Sequence, residues 1–100
     1  MIFAIIHDLG RRADYTPLFE RIKALGDWMH YIESLWIIQT RQPTTAAAIY
    51  RELEPYIHPS DDYLLIIEVK RNYFGILPKE AWDWLNNRNW EQASLPLPTL

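Results

Sequence analysis

Five apolar residues in a row, Ile2-Phe3-Ala4-Ile5-Ile6, closed by His7-Asp8-Leu9-Gly10, constrain this chain more than any other feature. A run that short, rich in β-branched residues and ended by a turn signal, reads as a strand buried on both faces. Whatever fold the chain adopts has to cover both sides of that strand.

The segments that follow supply candidates for the cover. Arg11 to Asp14 is a polar loop, and Thr16-Pro17 gives a helix start with Pro at the first helical position. Leu18, Ile22 and Leu25 form one apolar face, and Gly26 is a natural stop, so the spacing predicts a helix near 16–25. Trp28 to Thr40 is aromatic and β-branched almost throughout but too long for one ordinary strand. Glu33-Ser34 sits in its middle, which predicts two strands meeting at a tight connection, with one long bent strand as the rival. Arg41-Gln42-Pro43 is a turn, and Thr44 or Thr45 caps a second helix near 45–54. That helix carries Ala46, Ile49, Tyr50 and Leu53 inward and ends at Pro55. His58 to Asp62 is loop, and Tyr63 to Val69 is another strand.

The order is β-α-β-β-α-β, the split βαβ pattern of an α+β ferredoxin-like sandwich. It predicts an antiparallel sheet in the order 4-1-3-2, with the first and third strands central and both helices on one face. The opposite face needs cover as well, and Trp36 and its neighbours are candidates for it. Tyr73 to Leu77 adds a short fifth strand, and Pro78-Lys79-Glu80 opens a last helix carrying Ala81, Trp82 and Leu85. Residues 1–90 then form a single domain. Residues 91–100 form an extended tail; its Ser94 to Leu100, where Pro alternates with Leu, cannot be helical and is either a frayed end or an arm that packs on a groove.

A chain of 100 residues with 49% hydrophobic content has enough for one core. It has no cysteine, which excludes disulfides and thiolate metal sites and fits a reducing cytoplasm. The first residues have no basic lead and meet an acid early, and no segment approaches the roughly 20 apolar residues of a membrane span. No membrane partner is expected. The net charge of −3 counts against a dedicated phosphate-backbone binder, which is usually basic. A small sheet with one bare face commonly hides it against a second copy, so a homodimer is expected.

Several features occur together in order. Asp8-Leu9 closes the first strand; Gly26-Asp27-Trp28 and Glu33-Ser34-Leu35-Trp36 occupy the aromatic hairpin; Asp61-Asp62 precedes the last core strand; and Lys79-Glu80-Ala81-Trp82-Asp83-Trp84-Leu85 follows. In this order, over roughly residues 1–85, the chain resembles the CRISPR-associated Cas-two superfamily. It is most similar to the SinR-type small proteins that look like Cas-two proteins, with VapD-type toxins as relatives. The resemblance implies a ferredoxin-like homodimer. It also implies either a metal-dependent endonuclease on RNA or DNA, using the acid that ends strand one, or a non-catalytic dimeric scaffold. The chain departs from the Cas-two pattern at His7, where an aromatic residue usually precedes the acid, and in its acidic charge. Both departures point away from a role in CRISPR adaptation.

Asp8 is the leading site candidate, as catalytic carboxylate and as ligand for Mg²⁺ or Mn²⁺, both of which prefer oxygen donors. The bland reading is that it turns the chain at Asp-Leu-Gly. Arg11, Arg12, Arg21 and Lys23 are the cations closest to it in sequence and are candidates to hold a nucleic-acid phosphate, although a solvated face explains them equally well. Lys70-Arg71 is a second, weaker pair. Ser34 either orients a ligand or supports the hairpin turn. His7 falls on the opposite face from Asp8 by strand alternation. His30 and His58 have no partner at metal-ligand spacing, so no zinc site is expected. Trp82, Trp84 and Trp90 are read as packing residues.

Overall fold

The computed structural model describes residues 1–10 and 14–90. The elements run β1 (Ile2–Asp8), α1 (Thr16–Lys23), β2 (Gly26–Ile32), β3 (Leu35–Thr40), α2 (Ala46–Leu53), β4 (Tyr63–Glu68) and α3 (Lys79–Asn86), with a 3₁₀ turn at Glu54–Tyr56. The fold is α+β, and its four strands form one antiparallel sheet in the order β2-β3-β1-β4. The apolar run at the start of the chain therefore lies between β3 and β4. The long aromatic stretch divides into two strands at Glu33-Ser34, as its length required.

Strand alternation sorts the side chains into two layers. Phe3, Ile5, Trp36 and Ile38 face one way and pack with Leu18 and Ile22 of α1 and Ile49 and Leu53 of α2. Both helices thus lie on one face of the sheet. Each of these buried helix residues contributes about 1.5–3 kcal/mol by leaving water. Trp36 belongs to this layer and not to the opposite face as expected, because Leu35 and Ile37 take the outward phase of β3. On that second face α3 packs Ala81 and Leu85 against Met29, with Ile37, Tyr73, Leu77 and Trp82 around them. This cover lies over β2 and β3. On β4, Tyr63, Leu65 and Ile67 stay exposed.

Local signals explain most boundaries. Thr45 caps α2 by accepting a hydrogen bond from Ala48 N at 3.1 Å. Helix α1 begins one residue earlier than its sequence suggests. Tyr15 is its N-cap, and the Asp14 carboxylate accepts from Thr16 N at 2.9 Å. Gly26 opens β2 and does not stop α1. No residue outside the right-handed and extended regions is needed there; what matters is space, since a Cβ on Gly26 would sit 2.0 Å from Gln39 O on β3. Residues 73–77 form no strand among the described residues. They connect β4 to α3 and line a groove with Tyr31 and Ile32 of β2 without pairing with any strand.

Candidate functional site

Asp8 is the last residue of β1 and is exposed. It stands opposite Tyr63 in the β1–β4 ladder and shares the phase of Ala4 and Ile6, on the face that α1 and α2 do not cover. His7, one residue earlier, points into the helix layer and is only 8% exposed. Its Nε2 accepts a hydrogen bond from Trp36 Nε1 at 3.2 Å, which places the proton of the neutral ring on Nδ1. Burial lowers the His7 pKa, and the nearby His30 lowers it further.

His30 stacks on Trp36 with ring centroids 3.7 Å apart. Its Nε2–H donates to Glu33 O at 2.8 Å, since a carbonyl can only accept. Two imidazoles therefore hold one indole, one on its face and one at its N–H. Ser34 lies at the hairpin turn, and its carbonyl accepts from His7 N at 2.9 Å, tying the turn to the end of β1. His7, Asp8, Tyr15, His30, Glu33 and Ser34 line one cleft at this end of the sheet.

Of the predicted cations, Arg21 and Lys23 do not line this cleft. Arg21 pairs with Glu52 of α2 at 3.4 Å and lines a groove with Thr40 and Arg41, at the far end of the sheet from Asp8. Lys23 reaches Glu20 at 3.5 Å and lies 5.1 Å from the Trp28 ring centroid. Trp28 pairs with Ile38, which pairs with Phe3, so the strand position of Trp28 lies five residues, roughly 17 Å, along β1 from Asp8. Arg11 and Arg12 lie outside the described residues. Lys70 pairs with Glu68 at 2.9 Å.

A second carboxylate, Asp62, has a role that its place before the last strand did not reveal. Asp62 is buried and accepts from Gly10 N at 2.8 Å, Tyr15 Oη at 2.6 Å and His58 N at 2.8 Å. It fastens the exits of β1 and α2 to the entry of β4. The signal was present: Asp62 lies two residues before Leu64 and four before Ile66, in phase with the inward face of β4.

Among the described residues, no group of three His, Cys, Asp or Glu side chains is placed to hold a metal ion. Asp8 offers one carboxylate, fewer oxygens than a divalent ion takes from a protein-built site. The described residues of this chain therefore fit an ion only if further ligands join Asp8. Also among the described residues, no helix is long and apolar enough to cross a membrane.

The most prominent surface feature is apolar. Tyr63 is 75% exposed, and Leu65, Ile67, Tyr31 and Ile32 are also exposed on this side of the sheet. Phe74 and Ile76 expose essentially their whole side chains, at 102% and 99%. A groove of about 310 Å³ runs among Tyr31, Ile32, Leu35, Ile37, Phe74 and Ile76.

These features define an α+β protein built on a four-stranded antiparallel sheet with one partly bare face. A crystal structure described as a hypothetical protein TT1823 from Thermus thermophilus is similar in fold. It has a TM-score of 0.57 and 16% sequence identity, over 77% of this chain and 93% of that one. No family model matches the chain, and no curated protein matches it.

Proposed function

We propose that this protein is a Cas-two-like homodimer of ferredoxin-like fold whose sheet faces pack together, and that the dimer serves as a non-catalytic scaffold for a further partner. The exposed apolar face carries this reading. Taking roughly 200 Å² for each large side chain, the seven residues Tyr31, Ile32, Tyr63, Leu65, Ile67, Phe74 and Ile76 expose on the order of 900 Å² per protomer. A standard specific interface buries about 800 Å² per partner. The strand order and the placement of both helices on one face support the ferredoxin-like assignment. Sedimentation velocity across micromolar concentrations tests the assembly. A dimer is expected, and a monomer throughout would overturn it.

A second reading is favoured by the position of Asp8. It is an exposed carboxylate at the rim of the same face, next to Tyr63. Packing about a two-fold axis near that rim would bring two Asp8 side chains toward one Mg²⁺ or Mn²⁺, giving a metal-dependent endonuclease on RNA or DNA. Asp8→Asn should then abolish cleavage without altering the melting temperature. Arg12→Ala should weaken nucleic-acid binding and reduce its salt dependence by about one phosphate contact. Cleavage that persists in chelator, or without Asp8, would move the chemistry elsewhere. If there is neither cleavage nor nucleic-acid binding, the scaffold reading remains.

A further inference from the structure

The cleft at the end of β1 lies against α1 and has a volume of about 580 Å³, within the range of pockets that hold small molecules. One wall is aromatic. Tyr15 and Phe19, a helical turn apart, have ring centroids 6.5 Å from each other, and Phe19 stands 5.6 Å from the His7 ring. Phe19 is half-buried, so part of its ring stays open to the cleft.

The polar groups are a donor and a pair of acceptors. His7 is 8% exposed, and its Nε2 is occupied by Trp36 Nε1, which leaves the proton on Nδ1. Nδ1 makes no hydrogen bond to another residue. Among the described residues no buried side-chain nitrogen or oxygen lacks a partner, so Nδ1 reaches open space, and on the helix side of the sheet that space is the cleft. Glu33, in the β2–β3 turn, lines the same cleft with an exposed carboxylate that joins no ion pair. Burial lowers the His7 pKa and the Glu33 charge opposes that effect, so the carboxylate lies within electrostatic reach of the ring.

One N–H followed by two carboxylate oxygens reads donor, acceptor, acceptor. The Watson–Crick edge of guanine is the complement: the O6 acceptor, then the N1–H and N2–H donors. Adenine would turn its N1 lone pair toward the carboxylate, and uracil would turn a carbonyl toward it. We infer that this cleft binds a guanine base, with His7 Nδ1–H donating to O6, Glu33 accepting from N1–H and N2–H, and the ring lying against Phe19. Bonds from the base to the carboxylate are charge-assisted, and unstacked bases are commonly held in this way on an aromatic side chain. The site belongs to one protomer and is independent of both the dimer and the nuclease readings above.

Isothermal titration of the full chain with guanosine, inosine and adenosine tests the inference. Guanosine should bind saturably. Inosine, which lacks the N2 amine, should bind on the order of tenfold more weakly, and adenosine not measurably. Glu33→Gln places an N–H where an acceptor is needed. It should keep its melting temperature, because the side chain is exposed, and should lose the preference for guanosine over inosine. His7→Gln still accepts from Trp36 Nε1 but has no donor at the Nδ1 position, and should weaken guanosine on the order of tenfold. The oligonucleotide UUGUU, titrated beside UUAUU, distinguishes a base taken from an RNA strand from a free nucleoside. No saturable binding of either guanosine or UUGUU would overturn the inference. So would adenosine binding as tightly as guanosine, or a preference over inosine that survives Glu33→Gln.

Discussion

Burial holds the His7 imidazole below its ordinary pKa of 6.5, with the nearby His30 acting in the same direction. The unfolded chain therefore binds a proton at this position more readily than the folded one below pH 6.5. Stability from this group is complete above 6.5 and is lost as pH falls from 6.5 through the lowered folded value. Urea midpoints measured from pH 8 down to pH 5 should decline over that window. In His7→Gln, which can still accept from Trp36 Nε1, the part of the decline due to this residue should disappear. The Asp62 carboxylate supports a second prediction. Asp62→Ala strands Gly10 N, Tyr15 Oη and His58 N together, and the loss should reach about 3 kcal/mol or more in chemical denaturation. Sequence reading put His7 and Asp8 on opposite faces correctly, because alternation in a strand follows from covalent geometry alone. It could not find the indole that His7 accepts from, since Trp36 lies 29 positions away and only the β1–β3 register brings the two side chains together.

Among the elements, the hairpin β2–β3 illustrates what a linear pattern conveys. Its length and the Glu33-Ser34 break were sufficient to divide it into two strands. Gly26 was misread as a helix stop, because glycine marks helix ends and tight strand approaches alike, and only the pairing of Gly26 with Thr40 distinguishes them. With the Cβ position 2.0 Å from Gln39 O and 2.9 Å from Gln39 C, Gly26→Ala must push backbone and not a flexible side chain. A loss of about 3 kcal/mol is expected in thermal or chemical unfolding, at the upper end of overpacking costs. The fifth strand expected at residues 73–77 does not form among the described residues, because a pattern specifies which residues alternate and not where a ladder partner is found. The Arg21–Lys23 cluster failed as a neighbour of Asp8 for a related reason. The few residues between them in sequence are crossed by a helix running back along the sheet.

At the scale of the whole molecule, the sheet is closed by contacts between distant parts of the chain. β1 is held by β3 on one side and by β4 on the other, and the last of those partners is Glu68. Truncation sets a sharp expectation. A chain ending after Asp62 lacks β4, leaves β1 with one neighbour and should show no cooperative unfolding transition. A chain ending after Asn72 retains all four strands, loses only the α3 cover over Met29 and Ile37, and should still unfold cooperatively at a lower temperature. Circular dichroism melts of the two fragments would test this. The same arrangement separates the order of synthesis from the order in space. The first strand made is an interior strand, and it stays without a neighbour while some thirty further residues are added. The β2–β3 hairpin, whose contacts are local, is free to form first. During that interval Ile2 to Ile6 is an apolar strand with two open edges, the state in which nascent chains are most exposed to mispairing. Growth of this protein at the ribosome is therefore a wait for residue 68.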